Sequence, residues 1–595
     1  MNKLRVGAAV AVSLSLVAAI TPTAVGRVAN ASVKAAPGAK YAEQKLDWQQ
    51  CSFDTEGVKT VCAMMTVPRD WAKPAAGPEL KVYVSKVVAT GTKEDYQGVL
   101  LTNPGGPGGQ GTSLASSIAG LQPAVNAKYD ILGMDPRGTG QSGVEGDAGL
   151  GVTCDVPVSR LPQGPADARD RSAKSIKDHQ QAPRAIAEAC QSLAVSPYIT
   201  TWQTAHDMDL YRQLSGATKL NYVGYSYGTW LGAKYASLFP GTTGRMVLDS
   251  SLDWQGRLQA GFEDFPRIGQ RQTDTAFLSW LNRTEPDLFG KTPAAARKVI
   301  EAGRAKAVEA GLDPDSYDGL FTGNGSAIGW LFTMIALVAL NSPEDEAAKT
   351  FAALPAAVRA QADKVSLKRL GVPAAKVTTK ILVSQRLGEG EQESDYVRLP
   401  LTRFAVACND QPTKTTAWYK QLSDRQGPKY RDFGWQYGLG EVCGPWTDEP
   451  LQKLPNLPAS VRKNVLLVQG ELDPQTGYEQ AMAAAGKAPG ISILRVDDSP
   501  FHGQYSTQDN PCVDGVVNTY LLHGSTTPNS ICPSVPLLGE TKVYPVRGPV
   551  DAYLKANKAS TNRLVSPKAT TPADDQTRRD LADRISEENN THLLR

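Results

Sequence analysis

The five residues Gly224-Tyr225-Ser226-Tyr227-Gly228 fit the pattern G-x-S-x-G, in which a serine held on a sharp strand-to-helix turn acts as a nucleophile. A serine hydroxyl attacks well only when a base takes its proton, so an imidazole and a carboxylate that orients it must be found elsewhere. In the chain order that accompanies this pattern the acid precedes the histidine, and both follow the serine. Asp473, in GELDPQT, and His502, in DDSPFHGQY, meet that order, each in a loop directly after an apolar run. Asp249, at the end of GRMVLD, is the rival acid. His523 sits just before Gly524 and reads as the last residue of a helix, while His206 precedes the serine inside a helical pattern, so neither fits. An acyl transfer also needs two oxyanion donors set in place beforehand. These are the backbone N–H of Tyr227 and that of Gly106 in the loop PGGPGG at 104–109.

Such groups must be carried by a rigid frame, and the surrounding sequence supplies one. GVLLTN from Gly98 and YDILGM from Tyr129 are short apolar runs that stop at turn residues, as buried parallel strands do. LNYVGYSYGTWLGAKYASLFPG reads as a strand from Leu220, a sharp turn, and a helix from Tyr227 that Pro240 and Gly241 terminate. With GRMVLD, KNVLLVQG and ISILRV, strand and helix alternate, which argues an α/β fold with a mostly parallel sheet covered by helices on both faces. Gly224 and Gly228 have a steric reason to be there, since side chains at those positions would strike the neighbouring strand and helix.

The alternation stops between 251 and 458, where helical patterns dominate and Ala327 to Leu340 form the most apolar piece, too short to span a bilayer and read as a buried cap helix. The expected organisation is therefore a signal peptide at 1–31, a propeptide or linker at 32–45, the first half of the sheet domain at 46–250, a helical cap at 251–458, the second half at 459–546, and a loosely attached polar tail at 547–595 with one short helix near 574–587. The export signal rests on Lys3 and Arg5 ahead of an apolar run from Val6 to Ile20, with Ala29-Asn30-Ala31 as the cleavage site. The chain is thus expected to be secreted.

An exported chain with eight cysteines implies disulfides. Pairing sequence neighbours joins Cys51 to Cys62, Cys154 to Cys190, Cys408 to Cys443 and Cys512 to Cys532. Metal binding fits poorly, because there is no C-x-x-C or H-E-x-x-H and the five histidines are scattered. Sixty-three basic against sixty acidic residues leave a net charge of +3 without a dense basic run, which argues against nucleic acid or an anionic membrane as partner and for a small molecule or a peptide. GTGQSG at 138–143 matches G-x-G-x-x-G, yet Asp135-Pro136-Arg137 separates it from its strand and no good helix follows, so it reads as a turn held by the charges of Asp135 and Arg137, and no dinucleotide or other cofactor is expected.

NPGGPGG, DPRGTGQS, GYSYGTWLG, ACND at 407–410, CGPW at 443–446, GELDPQT and the loop around His502 together resemble the secreted bacterial tripeptidyl aminopeptidase and proline iminopeptidase group of α/β-hydrolases. The matching pieces spread from about 46 to about 533. The chain departs from the group's habit at FHGQY, where glycine often precedes the histidine, and at LDSSLDW, where L-D-G is common. The resemblance implies an α/β-hydrolase with a helical cap that releases short peptides from free N-termini through an acyl-enzyme. Members that look like carboxylesterases keep esterase action open as the alternative. An exopeptidase must hold a charged α-amine, so acidic cap residues are expected near Ser226, and Glu263, Asp264 and Asp410 are the candidates.

Overall fold

Alternate residues along each central strand enter opposite cores. In the computed structural model, Leu220 and Tyr222 pack on one face of the sheet while Val223 and Tyr225 pack on the other, and Leu467 and Val468 divide in the same way. The structure describes residues 39–144, 151–382, 395–525, 528–557, 562–564 and 575–590.

Among these, the strands in chain order are β1 (Gln49–Gln50), β2 (Thr60–Pro68), β3 (Glu79–Val87), β4 (Val99–Asn103), β5 (Asp130–Met134), β6 (Gly143–Val144), β7 (Thr153–Pro157), β8 (Leu220–Ser226), β9 (Thr243–Ser251), β10 (Tyr396–Pro400), β11 (Val465–Gly470), β12 (Ser492–Asp497), β13 (Ser530–Pro533) and β14 (Asn562–Arg563). The main sheet runs β1-β2-β3-β5-β4-β8-β9-β11-β12-β13-β14, with β6 beside β3. From β5 onward every pairing along that path is parallel. The N-terminal strands β1 to β3 add an antiparallel edge that the sequence reading did not identify.

The region expected as one helical cap has two parts. Residues from Ala276 to Leu382 build a core of their own around the helix Ala327–Asn341, whose Leu331, Met334, Ile335 and Leu337 are fully buried. Leu258, Phe262, Leu401 and Tyr419, at the two ends of the insertion, instead join the core of the sheet domain. Nor is the insertion wholly helical. β10 pairs antiparallel with β7, its alternating exposure matching a strand that lies on the surface. Among the described residues no helix is long and apolar enough to cross a membrane.

Two expectations about the chain ends need correction. The signal peptide lies outside the described residues, but residues expected as a linker are bound into the fold: Tyr41 is buried against Trp71, and the Gln44 side chain pairs with both the N–H and the carbonyl of Thr66. The C-terminal segment is not loosely attached throughout. Its helix Asp575–Asn590 inserts Leu581 and Ile585 into the sheet core and anchors its polar residues by ion pairs, Arg578 to Asp514 at 2.8 Å and Asp583 to Arg369 at 2.9 Å.

Four disulfides join Cys51 to Cys62, Cys154 to Cys190, Cys408 to Cys443 and Cys512 to Cys532, and no described cysteine is free. They close loops of 11, 36, 35 and 20 residues, and each such closure stabilises by roughly 3 kcal/mol through the unfolded chain. We therefore expect the denatured, unreduced protein to show no titratable thiol, and its thermal midpoint to fall on reduction. Peptide mapping that linked Cys408 to any partner but Cys443 would count against this arrangement.

Candidate active site

Ser226 ends β8 and caps the helix Tyr227–Leu238 with φ 56° and ψ −123°, a left-handed conformation that a non-glycine residue holds only under constraint. The constraint comes from close packing. A Cβ on Gly224 would lie 2.4 Å from the Tyr222 ring and 2.7 Å from the Gly228 carbonyl, and one on Gly228 would lie 2.8 Å from Asn103 Oδ1. The two glycines let strand and helix close to this distance, which throws the serine outward at the carboxyl edge of the sheet.

Asn103 also links the serine turn to the glycine loop. It ends β4, pairs with Gly224 in register, and accepts the Gly105 N–H at 3.0 Å, so PGGPGG starts beside the elbow. Gly105, Gly106 and Gly108 all have φ near 105°. A side chain on Gly106 would put its Cβ 2.8 Å from Gly108 N. Tyr227 N opens the elbow helix, where the first N–H groups lack partners from the preceding turn.

β9, β11 and β12 continue the parallel order outward from β8, and the loops after β11 and β12 hold Asp473 and His502. His502 Nδ1 lies 2.9 Å from both Asp473 oxygens. The ring proton therefore sits on Nδ1, leaving Nε2 as an acceptor, and that nitrogen is buried without a hydrogen bond. Asp473 is held in turn by the N–H groups of Gln475 and Thr476 and by the Thr476 hydroxyl, at 2.8 to 2.9 Å. Leu472 and Phe501, the residues just before the acid and before the histidine, are anchored in the core of the cap, Phe501 against Trp330. The histidine loop reaches the elbow through Tyr225, whose hydroxyl donates to the Tyr505 carbonyl at 2.9 Å. Ser226 is 5% exposed and His502 is fully buried.

Asp249 does not touch the imidazole. Its carboxylate accepts the Gln504 and Tyr505 N–H groups and so shapes the histidine loop. Burial pushes its pKa up to about 7, with the Asp473 charge a smaller contribution in the same direction. A folded-state pKa above the unfolded value means that the native state holds an extra proton between about pH 4 and 7, so this group's contribution to stability is complete at pH 4 and lost as pH rises through 7. Asp249→Asn removes that dependence. The thermal midpoint of the variant minus that of the wild type should rise across this interval, and a difference that stays flat would refute the reading.

The other sequence candidates separate clearly. His523 ends the helix Pro511–His523 ahead of a left-handed Gly524, and His206 packs between Trp71 and Trp202. Asp135 binds the Thr112 N–H and hydroxyl and the Gln141 N–H, and Arg137 makes a buried pair with Asp207, so GTGQSG is a structural turn.

The three acids expected at a substrate amine all have partners within the protein. Asp410 is buried with one oxygen on the Thr201 N–H and the other on Trp230 Nε1. Asp264 spends both oxygens on the Arg267 guanidinium at 2.6 and 2.7 Å. Glu263 holds the Arg257 guanidinium with both oxygens, at 2.8 and 3.0 Å, and it has a neighbour that the sequence reading missed. Glu441 has its carboxyl pKa raised, by burial first and by the charge of Glu263 as well, while Arg403 pulls it down. It lines a cavity of about 610 Å³ together with Phe433 and Tyr437, and a small pocket with Phe262 and Arg403. The backbone of Arg403 lies 3.6 Å from where a Cβ on Gly108 would stand, which brings this wall to the glycine loop. Its position two residues before Cys443, in GLGEVCGPW, was the available signal.

Comparison with known proteins agrees with this build. Residues 98–354 match the family described as "alpha/beta hydrolase fold", and residues 430–532, which carry both the Asp473 and the His502 loops, match "TAP-like protein". The chain has the α/β-hydrolase fold. It is 29% identical over 511 residues to the tripeptidyl aminopeptidase of Streptomyces coelicolor, covering 82% of this chain and 86% of that one. It is 26% identical to serine protease Hip1 of Mycobacterium tuberculosis, over 82% of this chain and 92% of the other, and 26% identical to carboxylesterase B of the same species, over 83% and 91%. It is a serine hydrolase and a relative of the tripeptidyl aminopeptidases.

Proposed function

We propose that this α/β-hydrolase is a secreted serine exopeptidase that releases short peptides, three residues at a time, from free N-termini. The observation that carries it is the buried pair of His502 and Asp473, with an unpaired Nε2, in a loop packed on the residue next to Ser226. His502 Nε2 takes the Ser226 proton as Oγ bonds to the scissile carbonyl carbon, and the Tyr227 and Gly106 N–H groups receive the oxyanion. His502 then gives that proton to the leaving amine, the C–N bond breaks, and Ser226 is acylated. Water, deprotonated by the same nitrogen, releases the acyl product and restores the serine. Asp473 keeps the ring in one tautomer and stabilises the imidazolium. The likeness to the tripeptidyl aminopeptidase and Hip1 supports a peptide substrate, and Glu441, beside Glu263, supplies an acceptor for its ammonium group. Four disulfides and the lack of a membrane-crossing helix among the described residues fit an exported protein. A panel of chromogenic amides and esters of different peptide length tests the reading. Fastest turnover is expected on unblocked tripeptide amides, and a preference for simple esters would favour the activity of the carboxylesterase relative.

A further inference from the structure

The C-terminal helix Asp575–Asn590 does more than cover the sheet. Gly325, in the cap loop that precedes the helix Ala327–Asn341, stands where three parts of the molecule meet. Its carbonyl accepts the His502 N–H at 2.9 Å, and its own N–H donates to Ser586 Oγ at 3.2 Å. Gln475, which binds Asp473 through its backbone, sends its side-chain amide to Ser586 Oγ and to the Ser586 carbonyl, both at 3.0 Å, and to the Gly323 carbonyl at 2.6 Å. One residue along, the Ser326 hydroxyl donates to Asp583 at 2.8 Å. All of these side chains are buried. One hydroxyl, on the C-terminal helix, thus binds both the segment that holds the histidine backbone and the residue that holds the acid.

We infer that Ser586 is a positioning residue for the Asp473–His502 pair, and that the C-terminal helix is a structural part of the active site. The inference rests on the proposed roles of those two residues. A hydroxyl here accepts from Gly325 and from Gln475 at once. Without it the buried Gly325 N–H loses its partner and Gln475 keeps only its two carbonyl acceptors, which loosens the hold of the C-terminal helix on both loops. Displacements on the order of 1 Å at such a distance from the chemistry cost about 10²-fold in rate.

The test uses the full chain and four variants. Ser586→Ala should lower kcat roughly 10- to 100-fold with KM little changed, and Ser586→Thr, which keeps the hydroxyl, should recover most of the loss. Gly325→Ala gives an independent probe, because its Cβ would lie 2.7 Å from His502 Cβ and 3.0 Å from Ser586 Oγ. It should reduce kcat at least as far and alter the pH–rate profile. Arg584→Gln is the control for simple tethering, since Arg584 ties the same helix to the Ser113 and Ser117 hydroxyls. It should lower the thermal midpoint and leave kcat near that of the wild type. Wild-type kcat in Ser586→Ala, or a loss no greater than that of Arg584→Gln at equal thermal destabilisation, would overturn the inference. Labelling of Ser226 by a fluorophosphonate is followed in every protein. If the wild type itself fails to react, the reading of the site falls and this inference with it, whereas a reactive wild type with an equally reactive Ser586→Ala sinks the inference alone.

Discussion

Replacing Ser226 with alanine is expected to cost about 10⁴ to 10⁶ in kcat on an unblocked tripeptide amide, because the histidine and aspartate serve the reaction only through that hydroxyl. The fold should survive. The elbow geometry is imposed by Gly224, Gly228 and the Tyr222 ring, and the hydrogen bond that Thr229 Oγ1 makes here, at 2.6 Å, goes to the Ser226 carbonyl and not to its side chain. His502→Ala should cost a comparable factor, and the double variant little more than either single one, since residues that act as a unit do not contribute additively. Kinetics on the purified variants, with thermal midpoints measured in parallel, decide the matter. An alanine variant that kept a tenth of the wild-type rate would remove Ser226 from the mechanism.

The elements proposed to carry this chemistry were the legible ones. A glycine two places on either side of a serine has a local steric cause, and an apolar run that ends in a polar loop marks the edge of a parallel strand, so the serine turn and the acid and histidine loops could be found from neighbouring residues alone. What escaped depends on partners far away in sequence. Asp410 has the type and neighbourhood of a substrate ligand, yet Thr201 and Trp230, about 200 positions earlier, consume both of its oxygens. Glu441 looks like one more acid in a loop until Glu263 and Arg403 are brought beside it. The C-terminal helix has too few apolar residues to announce a buried element. Leu581 and Ile585 provide the contact area, and the ion pairs to Asp514 and Arg369 satisfy the charges that made the segment read as solvated.

Blocking the α-amine of the substrate is expected to abolish useful cleavage. A free N-terminus has a pKa near 8 and is mostly an ammonium at neutral pH. Glu441 is costly to ionise where it stands, being half-buried and close to the charge of Glu263. An ammonium placed against the pair would relieve both costs, so its binding and the ionisation of Glu441 favour one another. Acetylation deletes the charge, adds bulk, and leaves the half-buried carboxylate without a cation beside it. Removing one member of a desolvated charge pair costs about 2 to 5 kcal/mol, so kcat/KM should fall roughly 30- to 4,000-fold between a tripeptide amide and its N-acetyl form. Glu441→Gln should raise KM for the free peptide by about tenfold or more and narrow the gap between the two substrates. It should leave hydrolysis of a small acetate ester, which has no amine, unchanged. Asp264→Asn, by contrast, should not affect the preference, because that carboxylate is taken up by Arg267. Equal rates on free and acetylated peptides would remove the exopeptidase reading and leave the esterase one, since an esterase has no use for an amine-binding wall.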